Sequence, residues 1–227
     1  MIMEFRVAKD VLDAGVKILF DVIEGIDNAT PSEEWNSFRN EKIKELLVRY
    51  QDLDVHQDPI LEGYNILHDN TGVRRRKNIP ASENLIKLLR KHGGMSPINK
   101  AVDIYNIVSM DTKLALGAHN IDKVDGNVTL RFTDGTEHFQ PIGADSPIPI
   151  AAHEYSYIDD SNDVLCRLEI RQVLKTLVTE ETKNIFYIVQ GNAATSEEYL
   201  REGAQQIIDL TTKFCGGRGR IVVPTVI

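Results

Sequence analysis

The alternation of apolar and polar positions along the chain outlines several helices. Thr30-Pro31-Ser32-Glu33 predicts a helix start, with a capping box and proline at the first helical position. The helix behind it runs for about five turns to Tyr50. Trp35, Phe38, Lys42, Ile43, Leu46, Leu47 and Tyr50 mark its mostly apolar stripe. A second helix, Ser82 to His92, closes on Gly93-Gly94, a left-handed stop. A third opens at Thr195-Ser196-Glu197-Glu198. It carries Leu200, Ala204, Ile207, Ile208, Thr211 and Phe214 on one face and ends at Gly216-Gly217.

Strands show a period of two. Val16 to Ile23 is rich in β-formers, and Val128, Leu130 and Phe132 alternate with polar residues. Asp134-Gly135 predicts a two-residue hairpin turn, with Thr136 to Gln140 returning, and Asp125-Gly126 gives the same signal one strand earlier. Leu165 to Ile170 alternates throughout. Ile185 to Val189 is continuously apolar, as expected of a strand buried on both faces, and Ile221 to Val223 is a short final strand. Hairpins with separate helices predict an α+β fold with mostly antiparallel sheet. No linker, repeat or low-complexity run interrupts residues 1–227, so one domain is expected.

Composition adds limits. With 42% hydrophobic and 26% charged residues, the chain reads as an ordinary globular protein. It has no apolar run long enough to span a bilayer and no signal-peptide pattern at its start, so a cytoplasmic location with no membrane partner is expected. Cys166 and Cys215 are expected to be reduced and buried. The net charge of −8 argues against indiscriminate grip on nucleic acid, DNA included. RNA contact would need a local basic patch. Arg74-Arg75-Arg76-Lys77 is the one basic cluster, and it reads either as a solvated loop or as a phosphate contact.

Familiar chemistry is missing from the sequence. There is no phosphate loop, and Gly216-Gly217-Arg218-Gly219 follows a helix and lacks dinucleotide-binding spacing. No G-x-S-x-G elbow occurs, and His153-Glu154 continues as Tyr155-Ser156-Tyr157 and not as a zinc helix. The six histidines have no ligand spacing. No metal and no cofactor are expected.

One ordered series of motifs carries a resemblance. Val102-Asp103-Ile104-Tyr105-Asn106 is followed by Leu114-Ala115-Leu116-Gly117-Ala118-His119-Asn120-Ile121-Asp122. Then come Leu130-Arg131-Phe132, Gly135-Thr136-Glu137, and Arg167 through Arg171 and Thr176 to Val178-Thr179-Glu180-Glu181-Thr182. This order, over roughly residues 75 to 215, resembles the B3/B4 domain of the phenylalanyl-tRNA synthetase beta subunit. The resemblance implies a layered α+β unit of two packed sheets with flanking helices. It also implies a site that hydrolyses tyrosine wrongly attached to the tRNA for phenylalanine. Amino-acid activation with ATP is not expected, since the remainder of that enzyme is not in this sequence. The partners implied are the aminoacylated 3′ end of tRNA and an amino acid.

Residue by residue, Asp103 and Asn106 match the family's Val-Asp-x-x-Asn. Tyr105 stands where the synthetase has threonine. Gly117 stands at the family's pocket histidine, with His119 two positions on. The acidic residue that reads the tyrosine hydroxyl falls near Thr176 and Leu177, without a counterpart. Arg131, Arg167 and Arg171 are candidates for carboxyl or phosphate contact. The bland reading of these arginines is an ion-paired strand face, with Glu137 as one partner. Asp103 and Asn106 equally suit backbone contacts at a turn, His119 a capped loop, and Thr176 an ordinary strand position. A pocket is expected around Asn106, His119 and Arg131. Two functions fit: an editing enzyme acting in trans, and a non-catalytic module binding an amino acid or tRNA. No catalytic residue is assigned.

Overall fold

The computed structural model describes residues 3–227, apart from the side chain of Arg76. Its elements in chain order are β1 (Phe5–Val7), α1 (Lys9–Asp13), β2 (Lys17–Glu24), α2 (Glu33–Arg49), α3 (Pro59–Asn70), α4 (Ala81–His92), α5 (Lys100–Thr112), β3 (Ala115–Asn120), β4 (Val128–Phe132), β5 (Tyr155–Asp159), β6 (Val164–Arg167), β7 (Arg171–Gln172), β8 (Asn184–Gly191), α6 (Glu197–Cys215), β9 (Arg218–Val222) and β10 (Thr225–Val226). One sheet has the order β10-β1-β4-β5-β6-β7 and the other β3-β8-β2-β9. All pairs are antiparallel except those of β1, which runs parallel to β10 and β4.

Side-chain alternation stacks these elements in three layers. Ile18, Phe20 and Val22 of β2 and Phe186 and Ile188 of β8 meet Phe5, Leu130, Tyr157 and Val164 of the other sheet. Leu19, Ile23, Tyr187 and Val189 point the other way, onto Trp35, Leu46, Leu89, Ile104, Val108 and Ile207 of the helices. The fold is thus α+β, arranged sheet, sheet, helices, with the four-stranded sheet in the middle. That position explains why Ile185 to Val189 is apolar at every residue.

The helix stops act as expected in α4 and α6, whereas α6 starts one residue later than a capping box at Thr195 predicts: its cap is Ser196, and the Thr195 hydroxyl donates to Asn192 O. Gly93 closes α4 at φ 65°, and the Ser196 side chain accepts from the Tyr199 amide at 3.0 Å. The start of α2 is a correction. Its cap is Ser32, which accepts from Trp35 N at 3.1 Å, while Thr30 belongs to a turn in which Asp27 Oδ1 accepts from the Ala29 and Thr30 amides. Sequence periodicity also misses α5. Only Tyr105 and Asp111 escape full burial along it, so it offers no polar face to see.

Three strand expectations fail for visible reasons. Asp125-Gly126 makes no hairpin, since β3 and β4 lie in different sheets. Residues 136–140 do not return along β4. Instead the amides of Asp134 and Gly135 both donate to the Glu137 carboxylate at 3.0 Å, so the chain curls around an anion, and β5 takes the edge of β4. The alternating run Leu165 to Ile170 is not one strand either. Leu168 adopts φ 53°, an uncommon conformation for a residue of this size, and folds the segment into the β6–β7 hairpin.

Candidate functional site

The edge strands β3 and β7 lie at the same side of the two-sheet stack, and a cleft of about 310 Å³ opens between them. Gly117 and Ile188 of the middle sheet line one side, and Cys166, Arg171 and Gln172 of the β6–β7 hairpin the other. Asn84 and Leu85 of α4 and Tyr105 and Asn106 of α5 complete it, with Ile79 and Ile142, both exposed, also in the lining.

Of the residues expected from sequence, Asn106 and Arg171 share this cleft. Asn106 is nearly buried, whereas Arg171 is exposed, its guanidinium fork at the rim without an ion-pair partner among the described residues. The other candidates stand elsewhere. Asp103, on the same helix, is buried and ion-paired to Arg39 at 2.9 Å, and it also accepts from Ile98 N. His119 is fully buried. Its Nδ1 lies 2.7 Å from the Thr176 hydroxyl, its ring stacks on Phe186, and its Nε2 has no hydrogen-bond partner among the described residues. Burial pushes its pKa down to about 3, so the ring is neutral. Arg131 donates to Glu137 at 2.6 Å and to Asn162 at 2.8 Å, tying the anion-centred turn to β4. The expected convergence of Asn106, His119 and Arg131 is therefore not found: only Asn106 lines the cleft.

Tyr105 and Gln172 give the cleft its inner shape. Burial pushes the Tyr105 phenol up to about 12, and the polar Gln172 side chain works against this. Burial pushes the Cys166 thiol up, which disfavours the thiolate that a nucleophile needs. Glu169 borders the cleft, but its carboxylate turns inward, with His68 Nε2 at 2.7 Å on one oxygen and the Tyr155 hydroxyl on the other. Its side chain is 1% exposed. The cleft thus offers a cation, three carboxamides and apolar walls. It can hold a carboxyl or ester group and polarise a carbonyl, without a side chain evidently placed as a strong base.

A second, shallower groove of about 630 Å³ is bordered by Arg74, Lys77, Asn78, His153, Glu154 and Arg167. Arg167 is committed to Glu154 and to Asn78 Oδ1 at 3.2 Å. Arg74 and Lys77 are exposed. Arg75 turns back to Asp69 and Glu62, both at 2.8 Å. The side chain of Arg76 lies outside the described part of the structure.

Sequence reasoning missed Gln172 and Asn84. The signal for Gln172 was Gly117 itself, a glycine in the middle of a strand, which marks close approach by another group. The described residues include one convergent acidic group, Asp125, Asp159 and Asp163. The Lys175 ammonium sits among them, 2.6, 2.7 and 2.6 Å from the three carboxylates. No described helix is long and apolar enough to cross a membrane.

Comparison with known proteins agrees with this layout. The phenylalanine–tRNA ligase beta subunit of Fusobacterium nucleatum subsp. nucleatum is 27% identical over 114 residues, which are 50% of this chain and 14% of that protein. A crystallised N-terminal fragment of the phenylalanyl-tRNA synthetase beta subunit from Pyrococcus horikoshii superposes with a TM-score of 0.52 at 13% identity. The match covers 100% of this chain and 52% of the fragment. At that identity the likeness speaks for the fold alone. This chain spans about a seventh of the first relative's length and about half of the second's. The B3/4 domain family matches residues 71–216, which take in α4, α5, β3 and the β6–β7 hairpin around the cleft. The chain belongs to the B3/4 domain family.

Proposed function

We propose that this protein binds the aminoacylated 3′ end of tRNA in the cytoplasm and hydrolyses the ester of a mischarged amino acid in trans. The observation that carries the reading is the cleft between β3 and β7, which Asn106 and Arg171 both line within the family-matched region. Arg171 would hold a phosphate or carboxyl oxygen at the rim. Asn106 and Asn84 would donate to the ester carbonyl as negative charge develops on it. An aminoacyl ester is already labile, and the neighbouring ribose hydroxyl can take part. A site that positions the ester and admits water is therefore sufficient. Arg74 and Lys77, beside the second groove, would meet the backbone of the acceptor end.

The test is deacylation of a panel of charged tRNAs by the purified protein. At least one should lose its amino acid faster than in buffer. Asn106→Ala and Arg171→Ala should each slow this by about tenfold or more, the equivalent of a lost charge-assisted hydrogen bond of ~1.5 kcal/mol. Arg131→Ala should not act through the cleft. A panel that decays at the uncatalysed rate overturns the enzymatic reading.

A second reading, a non-catalytic module that binds amino acid or charged tRNA, is favoured by the inward turn of Glu169 and the burial of His119 away from the cleft. It predicts protection of the ester, with retained binding.

A further inference from the structure

The choice of amino acid turns on the inner end of the cleft. Gln172 stands on β7, the last strand of the six-stranded sheet, and its side chain crosses to β3, the edge of the other sheet. Its Nε2 lies 2.6 Å from where a Cβ on Gly117 would be, so the amide can lie against this strand only because residue 117 is glycine. Tyr105, on α5, lines the same cleft. His119, next on that face of β3, is packed against Phe186 and lies outside the cleft lining. Gln172 and Tyr105 together thus close the space where the two sheets meet. What remains, about 310 Å³, is at the lower end of the ~300–1,000 Å³ of ligand sites. An aminoacyl end that carries an adenosine leaves little of such a volume for a bulky side chain.

We propose that Gln172 sets the side-chain specificity of the cleft, shortening it so that aminoacyl groups with small side chains enter and aromatic ones are excluded. The proposal rests on the aminoacyl-ester reading above and adds to it the ligand class. Hydrophobic size discrimination of this kind is worth roughly 10–200-fold for a single methylene, so a wall moved by several atoms has a measurable effect.

The experiment uses the full chain with Gln172→Ala and Gln172→Asn. Binding of the non-hydrolysable alanyl, seryl and tyrosyl amides of 3′-amino-3′-deoxyadenosine is measured by calorimetry, beside deacylation of tRNAs charged with the same amino acids. The wild type should bind the alanyl and seryl forms at least about tenfold more tightly than the tyrosyl form. Gln172→Ala should narrow that ratio by about tenfold through a gain for tyrosyl, with Gln172→Asn between the two. Wild-type preference for tyrosyl overturns the proposal. So does an equal loss for all three ligands in the variants, which would mark Gln172 as structural. Size-selective binding without hydrolysis removes the editing reading and leaves Gln172 as selector. Hydrolysis whose preference the variants do not alter does the reverse. Failure to bind any of the three removes both.

Discussion

Arg39 Nε lies 2.9 Å from Asp103 Oδ2, and both side chains are under a tenth exposed. The pair joins α2 to α5, and Arg39 also donates to the Met95 carbonyl at 2.7 Å. The aspartate of the family motif is thus a structural member, one turn of α5 from Asn106 at the cleft. Burial raises the Asp103 pKa, and Arg39 works against that rise. Breaking a buried pair from one side leaves an uncompensated charge, at a cost of ~3–5 kcal/mol. Asp103→Ala should lower the unfolding free energy from urea titration by that order while leaving ligand affinity per folded molecule intact. Full stability with lost binding would place Asp103 in the site.

Lys175 stands between three carboxylates, of which Asp159 is fully buried. Burial alone would lower its pKa, but hydrogen bonds to Asp125, Asp159 and Asp163 outweigh this and hold the ammonium charged. Lys175→Met should cost about 2–3 kcal/mol, below the figure for a fully buried pair because Lys175 is partly exposed. The three oxygens should then accept a hard cation, so millimolar Ca²⁺ should raise the melting temperature of the variant and not of the wild type. A variant indifferent to Ca²⁺ would mean that the carboxylates separate once the lysine is gone.

The fold was largely legible where a local signal and burial agree. Ser196 and Gly216 bracket α6, and the all-apolar run in β8 reflects its position in the middle layer. It was illegible where burial erases contrast, as in α5, or where elements are too short for a period, as in β1 and β7. Of the expected trio only Asn106 lines the cleft, and Arg171, a candidate that the sequence did not pair with it, lines it too. His119 and Arg131 misled because a polar side chain in sequence does not declare its partner. Thr176 lies 57 residues from His119, and Glu137 acts as the centre of a turn. The buried Arg39 was hidden inside an apolar helix stripe for the same reason.

Asp21 in β2 is buried, and neither carboxylate oxygen has a hydrogen-bond partner among the described residues. Burial pushes its pKa up to about 8, against 3.8 in an exposed chain. Between these values the folded protein holds a proton that the unfolded chain has released. Stability should therefore fall as pH rises from about 4 to about 8 and level off above. The change is on the order of a few kcal/mol. Asp21→Asn should remove this part of the slope, so that urea midpoints at pH 5 and pH 8 lie closer together than in the wild type. An unchanged difference would mean that Asp21 titrates normally.

Of the basic cluster, Arg75 is occupied by Asp69 and Glu62, while Arg74 and Lys77 border the second groove. Two phosphate contacts to a single-stranded end give a slope of log K against log salt of about −1.4. That is shallower than the range of about −2 to −3 expected if three or four of these charges took part. Arg74→Ala with Lys77→Ala should flatten the slope for charged tRNA, whereas Arg75→Ala should leave it nearly unchanged. A steep slope indifferent to all three would put the RNA on another face.

The first fifty residues should not be removable. β2 pairs with β8 along its full length, from Lys17 with Gly191 to Glu24 with Asn184, and with β9 on its other side. β1 lies between β10 and β4. Deleting this segment would expose two edges of β8 and β4 and uncover Phe214 of α6, on which Trp35 and Phe38 of α2 pack. Unpaired edges beside apolar surface favour aggregation. Removal of residues 1–50 should therefore yield an insoluble protein, or one with helical signal but no cooperative melt. Retention of the wild-type melting temperature would show that residues 51–227 fold by themselves, and that β8 and β4 find other cover.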